Sequence, residues 1–387
     1  MIRFGLALSL LLPAVLLSEE VPKALPVDPS EITPDTGPAV AEVAPSHAEA
    51  RPLPAGEVKL NIKRSPNSDA PKDIDHLPEG EDAVRLQIFL DEQRFGPGVI
   101  DGKPGRFTIL AVNSWNESHG YPPNDLTAAM DGATRTVTQP FALATIPSAA
   151  AKWVNPKLPE SRELQAKEKR MSYRSYAEFM SERYHTDVEF LQQLNPGVNV
   201  WNLAPGKALI VPNVTPFLIE NLNGGRYEPE PILASRHVVI DTKINQARVY
   251  ESEPTAIVVE ERPDGSIRTK PNKALVAAFP ITPGQEKFIK YGKWEMKNAV
   301  QLPVWRYDKS LLETGKRSNN AFNIPGGPNC PVGVVWMGLS VPGIGMHGTS
   351  DPETIGRARS AGCIRLANWD VVALTDFVRP GASVEIR

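Results

Sequence analysis

Cys363 and His347 are the two residues whose types and surroundings best suit a chemical step. They stand sixteen positions apart in GMHGTSDPETIGRARSAGCIRLANWD, each in a glycine-containing turn, so only a chain that folds back can bring them together. A thiol attacks a carbonyl as its thiolate, and a nearby imidazole both takes the proton and stabilises the charge left behind. By type alone, a Cys and a His in a β-rich segment more often serve as a buried apolar thiol and a satisfied histidine. The case for chemistry therefore rests on their neighbours.

Gly362, just before the thiol, lets the backbone approach a substrate carbonyl, and amide groups at such a turn can hold a developing oxyanion. Ser360, through its hydroxyl, and Gly348, through its carbonyl, are alternative partners to fix the imidazole tautomer. Arg365, two residues after the thiol, suits either a substrate carboxylate or the thiolate pocket.

The whole segment is similar to the signature of the L,D-transpeptidase (YkuD-like) family, HGT, a spacer containing IG, then S-x-G-C-[IV]-R. The matching residues are His347, Gly348, Thr349, Ile355, Gly356, Ser360, Gly362, Cys363, Ile364 and Arg365. Upstream, ITPG with YGKWEMK resembles the family's TPxGxF region, and IPGGPNCPVGVVWMGL resembles its GPxNPLG strand, so the likeness runs from about Arg236 to the end. The resemblance implies a sandwich-like, mainly-β catalytic domain with Cys363 as nucleophile and His347 as base. It further implies substrate contact by Arg365 and Thr349, and a thioester formed on a peptidoglycan stem peptide with release of D-Ala. Aminolysis of that thioester by a neighbouring stem gives a 3→3 cross-link. Water as acceptor (an L,D-carboxypeptidase), transfer to a protein lysine, and a non-catalytic wall-binding protein are the alternatives. Two positions depart from the pattern: Ala361 stands where many members carry a second His, and Cys330 where Asn is usual. Cys330 reads as a buried small residue, a disulfide partner of Cys363, or a redox switch upon it.

The elements that must position this pair begin at about Ile232, where HVVIDTKINQARVYES alternates apolar and polar residues as strands do. A β-rich domain over 232–387 is expected. After the motif, LANWDVVALTDFV reads as a helix with Asn368 as N-cap. Before the β domain, EDAVRLQIFLDEQRFGPGVIDGKPGRFTILAVNSW places two helices around a Gly/Pro turn. That module, 81–120, resembles a peptidoglycan-binding-like domain through Leu86, Gln87, Asp101, Gly102, Gly105, Thr108, Ala111 and Val112. A second stretch, 170–214, reads as helix, turn, helix and a strand at Ala208 to Val211. It resembles a LysM glycan-binding repeat through LNP…LxPGxxLxVP, carried by Leu194, Asn195, Pro196, Leu203, Pro205, Gly206, Leu209, Ile210 and Pro212. It stands open whether this module binds sugar or only packs. The Pro-, Ala- and Thr-rich segment 121–169, ending in PESRELQAKEKR, is expected as a solvated connector.

Residues 19–80 lack sustained periodicity and read as a flexible tether. Residues 1–18, with Arg3 before the apolar run Phe4 to Leu17, read as a secretory signal. The run is shorter than the roughly 20 residues of a spanning helix, so a membrane association is expected only if the signal stays uncleaved. An exported protein of the periplasm or cell wall, acting as a monomer, is the resulting expectation.

The chain has 387 residues, enough for two or three domains, with 22% charged residues and a net charge of -3. That charge argues against a nucleic-acid partner. The six His are scattered without ligand spacing, and no Gly-rich phosphate loop occurs, so neither metal nor cofactor is expected. Peptidoglycan stem peptides are the expected partner, and glycan strands an open second one.

Overall fold

A computed structural model gives the fold of residues 50–58, 60, 77–252, 274–310, 318–357 and 362–387, together with the backbone of the short strands 33–34, 257–261 and 267–271. The expected signal segment, most of the tether and Ser360 lie outside the described residues.

Helices α1 (Gly80–Glu92) and α2 (Arg106–His119) form where the helical pattern placed them, and α3 (Thr127–Thr136) joins them from beyond the expected boundary at residue 120. Leu86, Phe89, Leu90, Ala111, Val112, Trp115, Ala129 and Ala133 make their shared apolar face. The Gln87 side chain closes the turn between α1 and α2. It accepts from Asp101 N at 3.1 Å and Gly102 N at 2.8 Å, and donates to Asp101 Oδ1 at 3.0 Å. The Leu-Gln and Asp-Gly pairs of the sequence pattern are thus two halves of one clasp.

A small sheet runs in the order β1 (Arg51–Pro52), β2 (Phe141–Thr145), β3 (Ala208–Pro212), all antiparallel. Helices α4 (Tyr176–Arg183) and α5 (Val188–Leu194) precede β3. Ser175 caps α4 by accepting from Glu178 N, and Asp187 caps α5 by accepting from Phe190 N. Asn195 ties the end of α5 to β3, exchanging two 2.8 Å bonds with Ile210.

The expected solvated connector 121–169 is folded. It supplies α3 and β2, and buries Phe141, Ala142, Ala144, Ile146, Trp153 and Leu158. FALATI is a short apolar run that suits a strand on a core, and its ladder partner lies more than sixty residues later. The tether expectation also fails locally, because Arg51 and Pro52 pair with β2 and Leu53 is buried.

The C-terminal region is a curled eight-stranded sheet. Its strands are β4 (His237–Asp241), β5 (Gln246–Tyr250), β6 (Leu275–Pro280), β7 (Gly292–Gln301), β10 (Val335–Leu339), β11 (Gly345–His347), β12 (Ile364–Arg365) and β13 (Ser383–Ile386). They run β12-β11-β10-β7-β13-β4-β5-β6, with parallel pairs at β11/β12 and β13/β4. A separate ribbon pairs β8 (Pro303–Tyr307) with β9 (Phe322–Ile324). Helix α6 (Asn368–Thr375) packs on the sheet through Trp369, Val371 and Leu374. Ala367, not Asn368, occupies its N-cap position. The Asn368 amide is engaged elsewhere, as set out below.

The units share their cores. The helical face of α1–α3 continues into Val239, Tyr250, Leu275 and Ala278 of the sheet, and the α4–α5 unit joins the main sheet core through Ala177, Phe179, Met180 and Leu191.

Candidate active site

His347 ends β11, a three-residue strand held between two neighbours. On one side it pairs with Trp336 of antiparallel β10, and on the other with Arg365 of parallel β12. Residues paired directly across a sheet share a face, as do residues two apart on one strand. Trp336, His347 and Arg365 therefore share a face, and Cys363 stands in the bend just before β12. Trp336 and Cys363 meet in one apolar cluster with Trp305, Ile324, Cys330 and Val332.

The imidazole stacks on the Trp336 ring at 5.6 Å and 17°. Its Nδ1 lies 2.7 Å from the Gly348 carbonyl oxygen. A carbonyl only accepts, so Nδ1 carries the proton and Nε2 is left with its lone pair. Burial and then the positive charge of Arg365 push the imidazole down to about 3, against the Gly348 bond, which favours its protonation. His347 is thus a neutral ring at neutral pH, the form a base requires.

Cys363 keeps 8% of its surface exposed and His347 4%. The Cys363 thiol contacts the Gly343 carbonyl at 3.5 Å. Arg365 is half-buried. Burial lowers its guanidinium from the usual value, and Asp351, followed by a thiolate at Cys363, holds it up. Its buried Nε has no hydrogen-bond partner among the described residues.

Of the two groups considered for orienting His347, Gly348 makes the contact through its carbonyl. Thr349, expected to meet substrate, is buried, and its hydroxyl accepts from Asp351 N at 3.3 Å within a turn. Cys330 is fully buried, and no disulfide joins it to Cys363. Burial pushes the Cys330 thiol up to about 12, in keeping with the reading of it as a small buried residue. No group of three or more His, Cys, Asp or Glu is placed to hold a metal among the described residues.

Sequence reasoning passed over the residues that hold the pair in place. The loop Ile281–Gly284 clasps the catalytic segment at three points. Thr282 and Arg365 exchange backbone bonds of 2.9 and 3.0 Å, and the Thr282 hydroxyl accepts from Gly356 N at 2.8 Å. Gly284 lies so close to Gly362 that a methyl group on it would stand 2.5 Å from the Gly362 Cα. The TPxG-like pattern was visible, but nothing local revealed what it touched. Trp336 gave no sequence signal beyond its place in an apolar strand.

Residues 255–386 match the family model YkuD, the L,D-transpeptidase catalytic domain. A Bacillus licheniformis protein named as a candidate L,D-transpeptidase, YkuD, is 25% identical over 203 residues, 52% of this chain and 88% of its own length. The Bacillus subtilis protein of the same name is 40% identical over 78 residues, 20% of this chain and 48% of its own. Among solved structures, an L,D-transpeptidase from Mycobacterium smegmatis aligns at 15% identity with a TM-score of 0.27, over 40% of this chain and 58% of its own.

Proposed function

Because residues 255–386 belong to the YkuD family of L,D-transpeptidase catalytic domains, we propose that the chain is a cysteine acyltransferase that cross-links peptidoglycan stem peptides. The observation that carries the reading is the state of His347. It is a neutral imidazole with Nδ1 committed to Gly348, and it stacks on Trp336, whose apolar cluster includes Cys363.

Nε2 takes the Cys363 proton as sulfur attacks the carbonyl of a donor stem. The amides of the Gly362–Cys363 turn receive the developing oxyanion. The C–N bond to the terminal D-Ala breaks, and His347 returns the proton to the departing amine, leaving a thioester. The side-chain amine of a diamino acid on a second stem then attacks, giving its proton to Nε2 and expelling the thiolate, to form a 3→3 cross-link. Arg365 suits the donor carboxylate by its charge and by its position two residues from the sulfur.

A wall substrate also suits the first residues read as an export signal and gives the N-terminal units a purpose, since linkage to an immobile polymer raises local substrate concentration. Trp201, 70% exposed on the loop after α5, offers a flat apolar face to a sugar ring, which supports glycan contact by that unit.

Purified protein incubated with a disaccharide tetrapeptide, followed by mass analysis of the products, tests the reading. A cross-linked dimer with loss of D-Ala supports it. Tripeptide alone assigns water as the acceptor, and unchanged tetrapeptide overturns acyl transfer.

A further inference from the structure

Glu182 is a buried carboxyl for which the proposed chemistry has no use. It lies on α4, in the LysM-like unit, outside the matched family region, and is 5% exposed. Tyr173 donates its hydroxyl to Glu182 Oε1 at 2.6 Å, and Asn368 donates its amide to Glu182 Oε2 at 3.0 Å. Burial raises the carboxyl to about 8, with Tyr173 and Asn368 opposing and Glu178 adding to the rise.

Asn368 is fully buried, and its other atoms face the catalytic strands. Its Oδ1 accepts from Val334 N at 3.1 Å, and its Nδ2 also reaches the Pro328 carbonyl at 3.3 Å. The same Oδ1 fills the space beside two glycines: a Cβ on Gly348 would lie 2.1 Å from it, and one on Gly333 2.4 Å. Gly348 is the residue whose carbonyl holds His347 Nδ1. The loop that Asn368 spans is further stitched to the start of the LysM-like unit. Met171 N donates to Gly326 O at 3.0 Å, Asn329 N to Met171 O at 2.9 Å, and the Asn329 amide to Ser172 O at 2.8 Å.

We propose that Glu182 is a positioning residue for the catalytic base, acting through the Asn368 amide, which fixes the Gly348 carbonyl and so the tautomer and direction of His347. The LysM-like unit is then a structural part of the active site. The inference rests on the assignment of Cys363 and His347 as the reacting pair.

An Asn amide has two ends, and a partner atom that accepts from it decides which one faces which way. Glu182 supplies that acceptor for Nδ2, leaving Oδ1 for Val334 N and the glycine pocket. With the acceptor removed, the Asn368 amide is held less firmly, and the contact at Gly348 loosens. A displacement of about 1 Å in a catalytic group can cost on the order of a hundredfold in rate.

The test is acylation of Cys363 by a carbapenem in the full chain, followed by intact mass and resolved into the saturating rate and the half-saturating concentration. Glu182→Met fills the space but accepts no comparable bond; its saturating rate should fall about tenfold or more with the half-saturating concentration unchanged. Glu182→Gln still accepts from Asn368 while Tyr173 turns to accept from the new amide, and should stay within about twofold of wild type. Measurements are made well below the melting temperature of each variant, where simple loss of stability would leave the rate unmoved.

A Met variant as fast as wild type, or a Gln variant as slow as the Met variant, overturns the inference. Should the Met variant not fold, Glu182→Gln combined with Tyr173→Phe releases the carboxamide to turn. A rate loss in that pair supports the inference, and a wild-type rate overturns it. Absence of any adduct on the wild-type protein sinks the Cys363–His347 assignment itself, which separates the two failures.

Discussion

Adding one methyl group at Gly284 tests whether the loop around it sets the place of the nucleophile. On the present backbone the new carbon of Gly284→Ala would stand 2.5 Å from the Cα, 2.6 Å from the carbonyl carbon and 2.7 Å from the carbonyl oxygen of Gly362, where ordinary contact begins at 3.4 Å. All three are backbone atoms, so no flexible side chain can swing away. The two loops must part by about 0.9 Å, yet the Thr282–Arg365 ladder bonds hold them together two residues before Gly284 and three after Gly362. Strain of this kind costs about 1–3 kcal/mol of stability. Because Gly362 precedes Cys363, part of the displacement passes to the sulfur, and the saturating rate of carbapenem acylation should fall by about tenfold to a hundredfold. The assay is the time course of the adduct by intact mass beside a thermal melt. A Gly284→Ala protein with wild-type acylation and an unchanged melt would refute the argument that this approach positions the thiol.

The pH behaviour of the acylation rate follows from His347, whose ring is held down to about 3. Down to about pH 4 no loss of rate should come from protonation of the base, so a midpoint near 6.5 would count against it. The same shift leaves the unfolded state binding more protons between pH 6.5 and about 3, so stability should drop as pH falls through that window, and His347→Gln should flatten the dependence seen in urea midpoints. Glu182 runs in the opposite direction. Its carboxyl, raised to about 8, favours the fold below pH 4.5 and loses that contribution as pH rises towards 8, so Glu182→Gln should gain relative stability at pH 8.5 over pH 5 in the same measurement. With iodoacetamide at pH 7 the native protein should take a single label, and Cys363→Ala none, because Cys330 is enclosed and its thiol is pushed up to about 12. Two labels on folded protein would contradict that.

The proposed reacting pair stands out in the sequence because its pattern is local. A Gly-framed thiol and an HGT turn sit within one short segment, and the strands from His237 to Tyr250 announce themselves by alternation. What escaped was non-local. Phe141–Thr145 is a short apolar run whose partner at Ala208–Pro212 lies more than sixty residues later, so the segment read as connector. Asn368 has the type and place of an N-cap, yet its amide serves Val334 and Glu182. Glu182 sits in YAEFMSER among polar residues that suggest a solvent face, and only the packing of α4 against the start of α6 encloses it. Thr349, a motif position, also braces its own turn by accepting from Asp351 N.

The strand order β13-β4-β5-β6 separates two meanings of the word domain. The recognised family region begins at residue 255, after β5 has ended, while β4 and β5 stand between β13 and β6 in the sheet. A fragment cut at that boundary would keep both reacting residues but strip β6 of its only ladder neighbour among the described strands, leaving open edges on β6 and β13 that invite pairing between molecules. The piece that inheritance marks out is therefore smaller than the piece that can stand alone in water, and expression should start upstream of the shared core.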